Sequence, residues 1–272
     1  MKEYEITYPY RRRLALREWW HYRELFWFLA WRDIKVKYKQ TLLGIIWAVL
    51  QPLMLMILFT VFWKKAVNIE LDAPYPVFVY SGLMVWGLFS SGIGNAGNSM
   101  ISNANIIKKV YFPRFIIPVA AILVSLVDFV ATLVPYAALL AFYNMPVQIT
   151  PFLACSALCL LTVLPATLGI GLLIAAVNIR YRDARYAVPF LVQVLFFTTP
   201  VIFPLAAIKA KNLLFVLSLN PITAAVNFAR AAVALEPVNW PLSGLGIAVS
   251  FVLLAAGLVF FEKNEVECAD IL

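Results

Sequence analysis

Few side chains in this chain are placed to do chemistry, and their spacing limits what that chemistry can be. His21 is the only histidine and sits in a basic N-terminal segment, where a solvated or headgroup-facing role fits better than ligation. Asp128 is the only acidic residue inside the long apolar runs. A carboxylate at membrane depth is costly and by default marks a functional position such as a proton relay. With no partner acid or base in those runs it makes no relay, and a protonated or internally hydrogen-bonded structural Asp explains it as well. Cys155 and Cys159 stand one helical turn apart in an apolar run, and Cys268 is followed by four residues. Those spacings give neither a disulfide framework nor a metal site, and Cys268 misses the prenylation position by one.

The segment GIGNAG at 92–97 matches the dinucleotide-binding fingerprint letter for letter. That chemistry needs a strand before it, a helix after it and an acid about twenty positions on. Here the segment closes an apolar run and leads to Lys108 and Lys109. Small residues in that setting predict close helix packing instead. No GxxxxGK[ST] loop occurs, so ATP is not bound by that means.

The elements that must position these groups are membrane helices. At 272 residues, 63% hydrophobic and 13% charged, the chain carries more apolar surface than a soluble core of its size needs. The net charge of +8 flanks the apolar runs and forms no single stripe. It therefore belongs to topology and not to nucleic acid. The arginine-rich start does not resemble a removable signal peptide, and none is expected.

Six runs are long enough to cross a core of ~30 Å as helices: Leu42–Trp63, Val77–Asn98, Phe115–Phe142, Phe152–Val177, Ala187–Leu205 and Leu242–Phe261. Between the last two, Leu213–Leu235 is also apolar but is cut by Asn220-Pro221, a pair suited to cap and start a helix. It predicts two re-entrant or interfacial helices; a seventh span is the alternative. Seventeen Lys and Arg fall on one side of such a six-span chain, against Lys64, Lys65, Lys209, Lys211 and Arg230 opposite. The excess of positive charge inside puts both termini in the cytoplasm.

Ahead of the first run, Trp27, Trp31, Ile34 and Tyr38 recur every three or four residues, with Arg32, Lys35 and Lys39 on another face. This is the pattern of a basic helix lying in the headgroup layer, and the membrane surface falls at about Gln40. A short strand is the competing reading, because Ile34, Val36 and Tyr38 alternate with Lys35, Lys37 and Lys39. Prolines at 52, 135, 165, 189 and 200 loosen the runs and suit helices that move.

Two further features point towards transport. Aromatic residues gather in runs one, two and five: Trp47, Phe59, Phe62, Trp63, Phe78, Tyr80, Trp86, Phe89, Phe190, Phe196, Phe197 and Phe203. Ring faces suit a conduit for sugars, although interfacial belts also use these residues. The loop 102–114 (SNANIIKKVYFPR) combines cap-forming residues, a short helical register, a proline stop and wholly basic charge. A short rigid helix of that kind can pass force to a soluble partner; an ordinary basic loop is the plainer reading.

Taken in order, WRDIKVKYKQ at 31–40 with Leu43-Gly44, Trp47 and Pro52, NIIKKVYFP at 105–113, YRDAR at 181–185 and NPIT at 220–223 resemble the transmembrane subunits of type-2 ABC exporters of lipid-linked polysaccharide. The resemblance covers nearly the whole chain. It implies an all-α integral membrane protein with 1–41 as cytoplasmic tail and interface helix and 42–272 as the membrane domain. It further implies a homodimer of the chain around a channel, docked on two copies of a separate ATPase that hold ATP and Mg, with no cofactor bound by this chain. Asn105, Lys108, Lys109, Arg32, Asp33 and Lys35 would then couple to that ATPase, with 103–112 as the coupling helix. Trp47, Phe59, Phe62, Trp86, Phe89, Phe196 and Phe197 would line the conduit, and Asn220 and Pro221 would shape an outer gate over 208–236. The cargo implied is an undecaprenyl-linked polymer, O-antigen ahead of teichoic acid or capsule, crossing the bacterial inner membrane. A drug- or lipid-exporting relative is the alternative, followed by a membrane enzyme on lipid-linked sugars and a proton-driven carrier built on Asp128.

Overall fold

The computed structural model describes residues 22–39, 44–67, 73–110, 112–181, 183–208 and 210–265. His21, Gln40, Leu42, Leu43, Tyr111, Arg182, Lys209 and Cys268 lie outside the described residues, as do the N-terminal tail and the side chains of Trp63, Lys64 and Lys65. All regular structure among the described residues is helical.

The elements are α1 (Arg23–Lys39), α2 (Ile46–Val67), α3 (Tyr75–Ser102), α4 (Ala104–Ile107), α5 (Ile116–Phe142), α6 (Ile149–Arg180), α7 (Ala184–Thr198), a 3-10 turn at Leu205–Ala207, α8 (Lys211–Ser218), α9 (Pro221–Ala231) and α10 (Trp240–Glu265). The helix over 23–39 sets aside the strand reading of that segment. Its buried residues are Leu29 and Ala30, with Tyr22, Leu25 and Phe26 packed beside them. Trp27 and Trp31 are exposed. The packing stripe is thus the quieter i, i+3, i+4 set, while Trp27 and Trp31 face outward, where amphipathic rings sit best at a membrane surface.

Among the described residues, four helices are long and apolar enough to cross a membrane, α3, α5, α6 and α10, with the bent pair α8–α9 a fifth if counted as one span. Two of the expected runs yield shorter apolar helices, Ile46–Phe62 and Ala184–Thr198. The latter replaces the expected Ala187–Leu205. Thr199 turns extended (φ −94, ψ 137) because the residue before Pro200 is driven out of the helical region. At ~1.5 Å per residue, α7's 15 residues reach ~22 Å, short of a ~30 Å core. Prolines 52, 135, 165 and 189 stay inside their helices.

The GIGNAG segment lies wholly within α3, with no strand before it. A Cβ on Gly92 would meet Thr167 Cγ2 at 2.4 Å, and one on Gly97 would meet Ile174 Cγ2 at 2.6 Å. These are contacts with α6, and Asn178 Nδ2 donates to the Gly97 carbonyl at 2.8 Å. Gly92 and Gly97 therefore let α3 approach α6 closely, whereas a Cβ on Gly94 would meet nothing within 4 Å. A second close approach joins α6 to α10, where a Cβ on Gly257 would lie 2.2 Å from the Gly169 carbonyl oxygen.

Two apolar cores result. One surrounds α3 from Tyr75 to Ile93 and takes in α9 and the middle of α6. The other joins α1, α4, the start of α5, the end of α6 and Phe261 of α10. Because consecutive long helices alternate in direction, Lys108, Lys109, Arg114, Arg180, Arg185 and Lys263 fall at this second, basic end.

Candidate functional site

The basic end presents one cationic turn held from behind by apolar anchors. Chain direction changes at Asn103 (φ −108, ψ 14), which makes no side-chain cap on α4. Its Nδ2 instead donates back to the Ser99 carbonyl at 2.8 Å, and its Oδ1 accepts from Arg32 Nη2. With that side chain engaged, the helix expected over 103–112 shrinks to the single turn Ala104–Ile107. Ile107 and Phe112 are buried in the basic-end core, which points Asn105, Lys108, Lys109 and Val110 outward. Ile107, Lys108, Lys109, Val110, Phe112 and Arg114 line a recess of about 300 Å³.

The structure brings part of the expected coupling set together. Arg32 reaches Asn103 and pairs with Asp33 at 2.5 Å, so both half-buried side chains tie α1 to the α3–α4 corner. Lys35 is exposed, its ammonium 5.2 Å over the Trp31 ring. The outward groups are therefore Asn105, Lys108, Lys109 and Lys35, with Arg32 and Asp33 behind them.

Among the expected conduit aromatics, five from three helices form one connected group. Phe196 of α7 lies 6.1 Å from Phe59 of α2, 5.3 Å from Trp86 of α3 and 5.4 Å from Phe197; Trp86 in turn lies 5.5 Å from Phe89. Phe89 is fully buried and supports the group without offering a face, whereas Phe197 is 62% exposed. Trp47 and Phe62 are exposed on α2 and are in none of these ring contacts. The same helices expose Leu55, Ile57, Leu58, Phe190, Leu191 and Val194, so this flank of the chain is apolar and open.

Asp128, which has no partner within the apolar runs, has two outside them, in keeping with an internally hydrogen-bonded Asp. Its Oδ2 lies 2.5 Å from Lys37 Nζ, and its Oδ1 accepts from the Tyr38 hydroxyl. Both come from the last turn of α1, ahead of the first apolar run. Burial first, then the hydrogen bond to Asp128 and its charge, raises the Tyr38 phenol above its ordinary value. The position of this contact along α5 is informative. From Ile116 to Phe129 no residue is exposed, while Val130 and Val134 just beyond are 59% and 72% exposed. Asp128 marks the step between a half of α5 covered by α1 and its neighbours and a half with exposed apolar side chains.

At the far end, Asn220 caps α9 as its sequence suggests. Its Oδ1 accepts from the Ile222 amide at 3.0 Å, with Pro221 as the first helical residue, and its Nδ2 donates to Thr199 Oγ1 at 2.8 Å. α8 and α9 meet there at 95°. Arg230, counted above among the charges opposite the basic side, is not a surface charge but is fully buried. The capped helix start at Asn220-Pro221 was legible; the burial of Arg230 was not, since an Arg is almost never fully buried unless it is paired and its partners lie elsewhere in the chain.

Among the described residues no group of three His, Cys, Asp or Glu is placed to hold a metal. Comparison with known proteins is informative over most of the chain. The family model described as ABC-2 type transporter matches residues 24–233. The chain is 31% identical over 261 residues to the O-antigen export system permease protein RfbA of Myxococcus xanthus, covering 94% of this chain and 98% of that one. It is 26% identical over 241 residues to the Klebsiella pneumoniae protein of the same name, covering 89% and 92%. The Escherichia coli polysialic acid transport protein KpsM is 26% identical over 236 residues, covering 86% and 91%.

Proposed function

The chain belongs to the ABC-2 type transporter family, and from that premise we propose that it is the channel-forming membrane subunit of an ATP-driven polysaccharide exporter. The observation that carries the cargo class is its end-to-end similarity to an O-antigen export permease. An undecaprenyl-linked polymer, O-antigen before capsule or teichoic acid, is the proposed substrate. The membrane is the bacterial inner membrane, crossed six times with α7 as the short crossing and both termini cytoplasmic.

In this reading the chain binds no cofactor; two copies of an ATPase subunit hold ATP and Mg. Lys108, Lys109 and Asn105 seat α4 in the ATPase, with Lys35 alongside. Displacement of that turn is resisted by Ile107 and Phe112 and so passes to α3 and α5, whose ends it joins. Through Arg32 and Asn103 it also passes to α1. Two copies of the chain would cover the open apolar flank of α2 and α7, placing the Phe59–Phe196–Trp86–Phe197 group beside a shared path. Ring faces there offer sugars C–H contact with no fixed charge. Trp47 and Phe62 would extend the path at either end of the group. Asn220 and Pro221 set the bend of the outer helices that close it.

Depletion of the chain in its host, followed by fractionation and sugar-specific labelling, tests the proposal. Polymer held at the cytoplasmic side is expected. Unchanged surface polymer would overturn the cargo and leave a drug- or lipid-exporting member of the family.

A further inference from the structure

Arg230 is a buried charge that nothing in the coupling or conduit reading uses. It has no exposed surface, and its guanidinium contacts three separate pieces of the far end. Nη2 donates to the Val201 carbonyl at 2.7 Å, in the unwound segment after α7. Nη1 lies 3.3 Å from Glu236 Oε2, in the loop between α9 and α10. The guanidinium carbon sits 3.6 Å from the centre of the Phe78 ring on α3. The unwound segment is fastened to α3 independently: the Tyr75 hydroxyl donates to the Ile202 carbonyl at 3.0 Å, and Gly82 approaches Val201 so closely that a Cβ there would meet its carbonyl oxygen at 2.9 Å.

Burying a guanidinium is expensive; here two of its donors and its flat face are engaged in one geometry, while Nε and Glu236 Oε1 have no hydrogen-bond partner. Such a contact fixes position more sharply than an apolar side chain of similar size, whose packing is tolerant of small slides. Its effect on the two outer helices is unequal. Every residue of α9 from Pro221 to Arg230 is buried. In α8 only Leu217 and Ser218 are buried, and Leu213, Phe215 and Val216 are exposed. The 95° bend between them is itself tied down, through Asn220, to Thr199 of the unwound segment.

We propose that Arg230 is a positioning residue that makes α9 a fixed part of the outer wall, so that α8, swinging at Asn220, is the element that opens the far end during transport. This rests on the transporter reading above for the motion, but not for the anchoring. The expected outer gate over 208–236 thereby divides into a static half and a moving half.

Cysteine accessibility tests it with the full chain in open membrane fragments, after Cys155, Cys159 and Cys268 are replaced by Ser. Single cysteines are placed at Thr223 on α9, Val216 on α8 and Ala175 in the basic-end core, and a membrane-impermeant maleimide reports their exposure. In otherwise unaltered protein, Val216→Cys is labelled while Thr223→Cys and Ala175→Cys are protected. R230M is expected to raise Thr223→Cys labelling by roughly tenfold or more, the scale set by losing a hydrogen bond from a charged group, with Ala175→Cys still protected. Continued protection of Thr223→Cys would overturn the anchoring, and so would an equal rise at Ala175→Cys, which would make Arg230 a general structural residue. If R230M does not accumulate, R230M/E236L removes both buried charges and decides by the same criteria. With the partner ATPase and ATP, labelling is expected to change at Val216→Cys alone. A change at Thr223→Cys, or none at either site, would overturn the moving half of the proposal. Surface polymer enters none of these readouts, so failure of the cargo assignment is seen separately.

Discussion

Removing the Asp128 carboxylate should detach the last turn of α1 from α5, at a cost that can be worked from its two partners. The Lys37 pair is short, at 2.5 Å, but Lys37 is 39% exposed against 14% for Asp128. A pair open to solvent on one side contributes at most about 1 kcal/mol. The Tyr38 hydroxyl is half-buried and donates to the same carboxylate, and leaving such a donor without its charged acceptor costs about 1–3 kcal/mol. Asp128→Ala is therefore expected to destabilise the α1–α5 contact by about 1–4 kcal/mol. Asp128→Asn, which can still accept from Tyr38, should cost about half of that. The assay is a double-mutant cycle on detergent-purified protein, combining Asp128→Ala with Lys37→Met, read by thermal unfolding and by protease cleavage within 40–45. The exchange Lys37→Asp with Asp128→Lys should recover part of the loss. Strict additivity of the two single changes, or no effect of Asp128→Ala on either readout, would show that this contact does not hold α1 and return Asp128 to a role inside the membrane.

Other outcomes follow from the same geometry. Because the Tyr38 phenol is raised above its ordinary value, its contribution is complete below about pH 10, the unfolded value, and lost as pH climbs further; protease cleavage near residue 40 should rise on that alkaline limb, and not in Tyr38→Phe. Lys108→Glu with Lys109→Glu changes two exposed side chains, so yield and thermal stability should hold within about 0.5 kcal/mol while export stops and ATP use by the partner continues; wild-type export would remove the turn from the mechanism. Gly257→Leu forces a side chain into the Gly169 backbone 2.2 Å away and should cost at least about 1–3 kcal/mol, seen as loss of monodisperse protein on size exclusion. Phe196→Ala removes three ring contacts, each worth about 0.5–1.5 kcal/mol, and should lower thermal stability more than Phe62→Ala, whose ring is 69% exposed.

The parts of this fold that were legible in the sequence are those specified by near neighbours. Asn220-Pro221 announces a capped helix start because a cap and a proline act within one turn, and the bend is found there. The apolar runs 115–142 and 152–177 mark their helices to within a few residues because length and hydrophobicity are local properties. GIGNAG could be rejected as a nucleotide loop from its flanks alone. What escaped was set by distant partners. Asp128 meets Lys37 and Tyr38 across about ninety positions of sequence, so its carboxylate looked unpartnered. Arg230 was counted by charge, whereas its burial depends on Phe78, Val201 and Glu236 arriving from three other segments. Asn103 had the composition of a cap but is spent on Arg32 and Ser99, which shortens the turn behind it. In α1 the tryptophans drew attention to one edge, and the residues that pack, Leu25, Phe26, Leu29 and Ala30, differ from it only in size and shape. The end of α7 was legible in principle, since Pro200 restrains Thr199, but the apolar run continuing to Leu205 outweighed it.

If the proposed function holds, this chain forms a path for a lipid-linked polymer that is driven by a separate ATPase. Purified chain reconstituted in vesicles with its partner ATPase, and loaded with lipid-linked polymer on the ATPase side, measures it directly through access of a sugar-cleaving enzyme confined to the opposite face. The account predicts cleavage only when chain, ATPase and ATP are all present, and none with Lys108→Glu and Lys109→Glu. Cleavage by the chain without ATPase or ATP would contradict it, as would no cleavage while the complex hydrolyses ATP.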